Sequence, residues 1–69
     1  MENITFTLNG ELLQVPCDTT VAGLLESRGL AGKRLAVERN GDIVPRGQHE
    51  RTVIQPQDRI EIVVAVGGG

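Results

Sequence analysis

The stretch Ile4-Thr5-Phe6-Thr7-Leu8-Asn9-Gly10-Glu11-Leu12-Leu13-Gln14-Val15-Pro16 decides the fold. Ile4, Phe6 and Leu8 alternate with Thr5, Thr7 and Asn9, the period of two that marks a half-buried strand. Asn9-Gly10 is the favoured pair for a tight type I′ hairpin, because both central residues of that turn need positive φ. Leu13 and Val15 carry the apolar face onto a second strand. Pro16 has no N–H to donate and is expected to end the pairing.

Downstream, Asp18-Thr19-Thr20 offers a cluster of helix N-cap residues. Val21, Leu24 and Leu25 then form one apolar stripe on a helix of about two to three turns. Gly29 suits the left-handed position that closes a helix, with Leu30 making the accompanying apolar contact. Gly23 lies inside this helix at a cost of ~1 kcal/mol relative to Ala, and close packing on the sheet is its expected reason. Leu35 and Val37 alternate with Ala36 and Glu38 as a third strand, and Asn40-Gly41 signals a second hairpin whose return begins at Ile43-Val44. Pro45 to Glu50 reads as a polar connection, Thr52-Val53-Ile54 as a short strand, and Gln55 to Asp58 as a turn. In the last strand Ile60, Ile62, Val64 and Val66 share one face, and Arg59, Glu61, Val63 and Ala65 the other.

The order is hairpin, helix, then further strands, with a right-handed crossover through the helix. This predicts an α+β fold: a β-grasp, ubiquitin-like roll with a mixed four- to five-stranded sheet and one main helix packed across it. Residues 1–66 form the expected domain and 67–69 a flexible glycine tail.

The chain has 69 residues, one Phe and no Trp or Tyr, so the core must be aliphatic. A chain this small buries only about 60% of the surface its unfolded form exposes. Its formal charge is −2. Binding to nucleic acid calls for a basic surface and, for single strands, stacking aromatics, so DNA and RNA are excluded as expected partners. The single cysteine, Cys17, forms no internal disulfide and fits a reducing, cytoplasmic setting. No signal-peptide pattern is visible at the start. The longest apolar run, Ile62 to Val66, is far short of the ~20 residues that cross a membrane.

Directly after the last strand come Gly67, Gly68 and Gly69. Glycine has no Cβ, so its backbone enters clefts closed to other residues. The α-carboxylate of Gly69, with a reference pKa of ~3.5, is ionised at neutral pH. An unhindered carboxylate on a bare stalk is what an adenylating enzyme needs to activate a protein terminus. Gly69 is thus the expected working group, Gly67 and Gly68 the part that threads a partner's active site. Ordering each glycine costs roughly 1–2 kcal/mol, so affinity is expected from a folded face instead. Val63 and Ala65, on the strand face away from the helix, are the candidates for it. Arg39 and Arg46 are candidates for a basic rim.

The whole chain resembles the thiamine-biosynthesis sulfur-carrier proteins, the ThiS family. The resemblance is carried by Asn9-Gly10, Thr20-Val21-Ala22-Gly23-Leu24-Leu25, Ala36-Val37-Glu38-Arg39-Asn40-Gly41-Asp42-Ile43-Val44-Pro45-Arg46, Asp58-Arg59-Ile60-Glu61-Ile62-Val63 and the terminal glycines. The Val-x-x-Asn-Gly-x-x-Val-Pro-Arg stretch is its most specific part. Many members carry Trp near the position of His49, and most end in two glycines rather than three. The resemblance implies a shuttle. A ubiquitin-activating-type adenylyltransferase spends ATP on the Gly69 carboxylate. Sulfur from a cysteine desulfurase pathway then gives a thiocarboxylate, and thiazole synthase takes that sulfur. No bound cofactor, no metal and no catalytic residue of the carrier's own is implied. The molybdopterin-synthase small subunit and ubiquitin-like modifiers are the alternatives, as is a binding module with an idle tail.

Other residues carry weaker signals of chemistry. Cys17 precedes a helix, where a thiolate is favoured, but no activating base is evident in the sequence. One His and one Cys do not make a zinc set, which leaves His49 as a surface residue. Gly29 to Arg34 fails the phosphate-loop pattern, which needs glycine at position 27 and Ser or Thr at position 34. Ser27 and His49 would have to meet to form a hydrolase site, and nothing in the sequence supports that.

Overall fold

The computed structural model describes residues 2–65. Strands β1 (Asn3–Leu8) and β2 (Glu11–Pro16) form the opening hairpin. Asn9 and Gly10 at its tip both take positive φ, as a type I′ turn requires. The ladder runs one step past Pro16, because the Cys17 amide donates to the Glu2 carbonyl at 2.9 Å.

Helix α1 (Val21–Ser27) follows. Thr20 is the cap chosen from the three candidates, its Oγ1 accepting from the Gly23 amide at 3.0 Å. At the other end Leu30 donates to the Leu25 carbonyl and Gly29 to the Glu26 carbonyl, with Gly29 at φ 72°. That pair of bonds is a Schellman closure. Gly23 does not touch the sheet: a Cβ there would meet only Thr20 Oγ1 at 3.4 Å and Thr19 Cγ2 at 3.7 Å.

Strands β3 (Leu35–Arg39), β4 (Asp42–Ile43) and β5 (Arg59–Val64) complete one five-stranded sheet in the order β2-β1-β5-β3-β4. Only β1 and β5 run parallel. With α1 set across it, this mixed sheet is the ubiquitin-like β-grasp. The core holds Phe6, Leu8, Val21, Leu24, Leu25, Val37, Val44, Ile54, Ile60 and Ile62. It is aliphatic around a single aromatic ring, as the composition demands.

Three further expectations need correction. Thr52-Val53-Ile54 is not a sheet strand; Val53 makes only an isolated bridge to Thr20. The segment instead serves the helix start, where the first amides have no partner within the helix. The Thr52 carbonyl accepts from Val21 and the His49 carbonyl from Ala22, both at 2.9 Å. His49 is buried rather than on the surface, with Nε2 at 3.0 Å from the Val44 carbonyl. Val64 is 41% exposed, so the buried face of β5 ends at Ile62. Val66 and the three terminal glycines lie outside the described residues.

Candidate functional site

The strand that leads toward Gly67 is the middle one. β5 pairs with β1 on one side and β3 on the other. Its Ile60 and Ile62 are buried in one core with Val21, Leu24 and Leu25 of α1, which sets the strand's rotation. Three further contacts fix it along its length.

At its start stands Asp58, only 5% exposed. Its Oδ2 accepts from Arg39 Nε at 2.7 Å and from the Gln55 amide at 2.8 Å, and its Oδ1 from Asn40 Nδ2 at 2.9 Å. Burial pushes the Asp58 carboxyl pKa up, but these hydrogen bonds and the Arg39 charge outweigh it and hold the pKa below the ordinary value. Asn40 returns to the strand itself, its Oδ1 accepting from the Arg59 amide at 2.8 Å. In the middle, Asn9 grips Ile62 through both ends of its side-chain amide. At the end, the Ala65 amide donates to the Arg34 carbonyl at 2.9 Å. The strand is therefore held up to the last residue described.

Val63 and Ala65 are exposed, Val63 at 65%. Val63 lies opposite Ala36 of β3, itself exposed, which forms an apolar pair beside the strand's exit. On the same outer face Ile43 lies opposite Glu38, and Leu12 opposite Thr7 at the far edge. Arg39 is drawn into the Asp58 cluster and is not free to form a rim. Arg46 is exposed and reaches the Lys33 carbonyl at 3.5 Å.

Ser27 and His49 are each engaged elsewhere: the Ser27 hydroxyl donates to the Leu24 carbonyl, and His49 is on Val44. Cys17 sits exposed in the turn between β2 and α1. Among the described residues no cluster of three or more His, Cys, Asp or Glu side chains is placed to hold a metal. No helix among them is long and apolar enough to cross a membrane. A cleft of about 430 Å³ lies between the end of α1 and the following loops, lined by Leu25, Leu30, Lys33, Leu35, Arg46 and His49. Sequence reading missed it, because its walls come from segments far apart in the chain. It also missed the grips of Asn9 and Asn40 on β5, although the Asn-Gly pairs that supply them were visible.

Comparison with known proteins gives a consistent picture. A sequence description of the ThiS family matches residues 3–69. The chain is 45% identical over 62 residues to a thiazole synthase of Magnetococcus marinus, covering 90% of this chain and 19% of that protein. It thus spans about a fifth of the thiazole synthases it matches. It is 40% identical over 63 residues to the sulfur carrier protein ThiS of Bacillus subtilis, covering 90% of this chain and 96% of that one. The crystal structure of the thiamine biosynthesis protein ThiS from Geobacter metallireducens superposes with a TM-score of 0.77 at 28% identity, covering 96% of this chain and all of that one.

Proposed function

Because the chain belongs to the ThiS family, we propose that it is a sulfur carrier in thiamine biosynthesis whose working group is the Gly69 carboxylate. A carboxylate is a poor electrophile, since its leaving group would be oxide. Adenylation by a ubiquitin-activating-type enzyme replaces that with AMP, at the expense of ATP. A persulfide from a cysteine desulfurase pathway then displaces AMP to give an acyl disulfide, and a second thiol cleaves its S–S bond, supplying two electrons and leaving the thiocarboxylate. Thiazole synthase is the acceptor in this reading. The likeness of the chain to part of two thiazole synthases supports that acceptor over molybdopterin synthase. The carrier is a co-substrate of cytoplasmic enzymes and supplies no acid, base or metal.

The observation that carries the reading is the family match, which runs through to residue 69. The geometry suits it. A central strand anchored at Asp58, Asn9 and Arg34 gives a rigid base from which Gly67 and Gly68 can thread an active site, and Val63 and Ala65 offer a docking patch at that base. Rigid support for a reactive terminus lowers the ordering cost on docking.

Removal of Gly68 and Gly69 tests the proposal. The shortened chain is expected to keep its circular dichroism and unfolding midpoint, while ATP–pyrophosphate exchange by the activating enzyme is abolished. Exchange at the full rate would refute the assignment of Gly69.

A further inference from the structure

Asn40-Gly41 and Asn9-Gly10 are required by their hairpins, yet Asn-Gly is also the dipeptide in which a side-chain amide is most open to attack by the following backbone nitrogen. Glycine leaves that nitrogen unshielded, and the space where a Cβ of Gly41 or Gly10 would sit is open in both turns. The two asparagines differ in what holds them. Asn40 is fixed at both ends, accepting from the Arg59 amide at 2.8 Å and donating to the Asp58 carboxylate at 2.9 Å. Asn9 has a neutral partner at each end, and its donor bond is longer, at 3.3 Å.

We propose that Asn40 is a latent deamidation site, restrained in the folded protein by Arg59 and Asp58, whose conversion to aspartate disrupts the cluster that anchors β5. In the reaction the Gly41 nitrogen loses its proton to solvent base and bonds to Asn40 Cγ. The Cγ–Nδ2 bond breaks, ammonia leaves with a solvent proton, and water opens the resulting succinimide to aspartate or isoaspartate. No oxidant or reductant takes part. One feature of the fold opposes the step. Attack requires the amide to turn off β5, breaking both hydrogen bonds. The product then sets a carboxylate against Asp58 in place of a donor, in competition for Arg39.

The test needs no variant to begin. The protein is incubated in mildly alkaline buffer, folded or in concentrated urea, and the conversion of amide to acid is followed by peptide mass spectrometry at both sites. Asn40 is expected to react at least about tenfold more slowly in the folded chain than in urea, the protection given by a closed local structure. In the folded chain it is also expected to lag behind Asn9. An equal rate at Asn40 in both states, or Asn40 reacting ahead of Asn9 in the fold, overturns the proposal. As a second measurement, Asn40→Asp is expected to lower the urea midpoint. Adding Asp58→Asn should recover part of the loss, because one amide again faces one carboxylate. An unchanged midpoint for Asn40→Asp overturns the claimed consequence.

Discussion

Asn9 grips Ile62 by both ends of its side-chain amide, accepting from the Ile62 N–H at 2.9 Å and donating to the Ile62 carbonyl at 3.3 Å. The two residues are 53 apart in sequence. β1 and β5 pair directly only at Thr7–Arg59 and Leu8–Ile60, so the side chain of a turn residue takes over where the parallel ladder stops. One asparagine thereby shapes the first hairpin and holds the strand that precedes the glycines.

Asn9→Gly separates those two roles, since glycine accepts the φ of 50° and lacks the amide. It is expected to cost about 1–2 kcal/mol through the two lost hydrogen bonds. Asn9→Ala adds about 1 kcal/mol from the left-handed backbone. Amide exchange at Ile62 should accelerate in both variants. Unchanged protection there contradicts the clamp.

Asp58 makes stability depend on acid. Its folded pKa lies below its unfolded value, which is near the reference 3.8. The stabilisation is therefore fully present above the unfolded pKa and is lost as pH falls through the folded pKa. Unfolding midpoints measured from neutral pH down to strong acid should fall in that window for the parent chain, and the fall should be smaller in Asp58→Asn. At neutral pH Asp58→Ala should cost roughly 2–4 kcal/mol, because Arg39, Asn40 and the Gln55 amide all lose a partner.

His49→Ala should destabilise by roughly 1–3 kcal/mol, since it leaves the buried Val44 carbonyl without its partner. Thermal unfolding checks this. A surface histidine would give a change within about 0.5 kcal/mol.

The core and the helix interior give opposite signs. Phe6, 1% exposed, is the largest side chain of the core, and Phe6→Ala should cost about 3–5 kcal/mol. Gly23→Ala should stabilise by up to about 1 kcal/mol, because a Cβ meets Thr20 and Thr19 at ordinary contact distances. Denaturant titrations of both variants check the signs.

These contrasts also mark what the sequence made legible. Phe6, Val21, Leu24, Val37 and Ile60 were readable as core because their periodicity is local. Both Asn-Gly turns and the closure at Gly29 were readable because left-handed backbone selects its residues chemically. The burial of His49 and Asp58 was not readable, since each is fixed by partners that only the folded chain brings near. Val53 has the composition of a strand, but its neighbours serve the start of α1 instead. Val64 keeps the alternation of β5 yet lies outside the core cluster, 41% exposed. Exposure of Val63 and Ala65 followed from that alternation, whereas the anchors that fix their strand did not.

If reactivity resides in the acyl group of Gly69, intact-mass measurement of the protein purified from cells making thiamine should reveal it. A fraction of chains is expected to be heavier by the exchange of one oxygen for sulfur, with fragmentation placing the change at Gly69, and that fraction should vanish when the activating enzyme is deleted. Chains bearing only the carboxylate in cells making thiamine, or sulfur located at Cys17 instead, would contradict the Gly69 assignment.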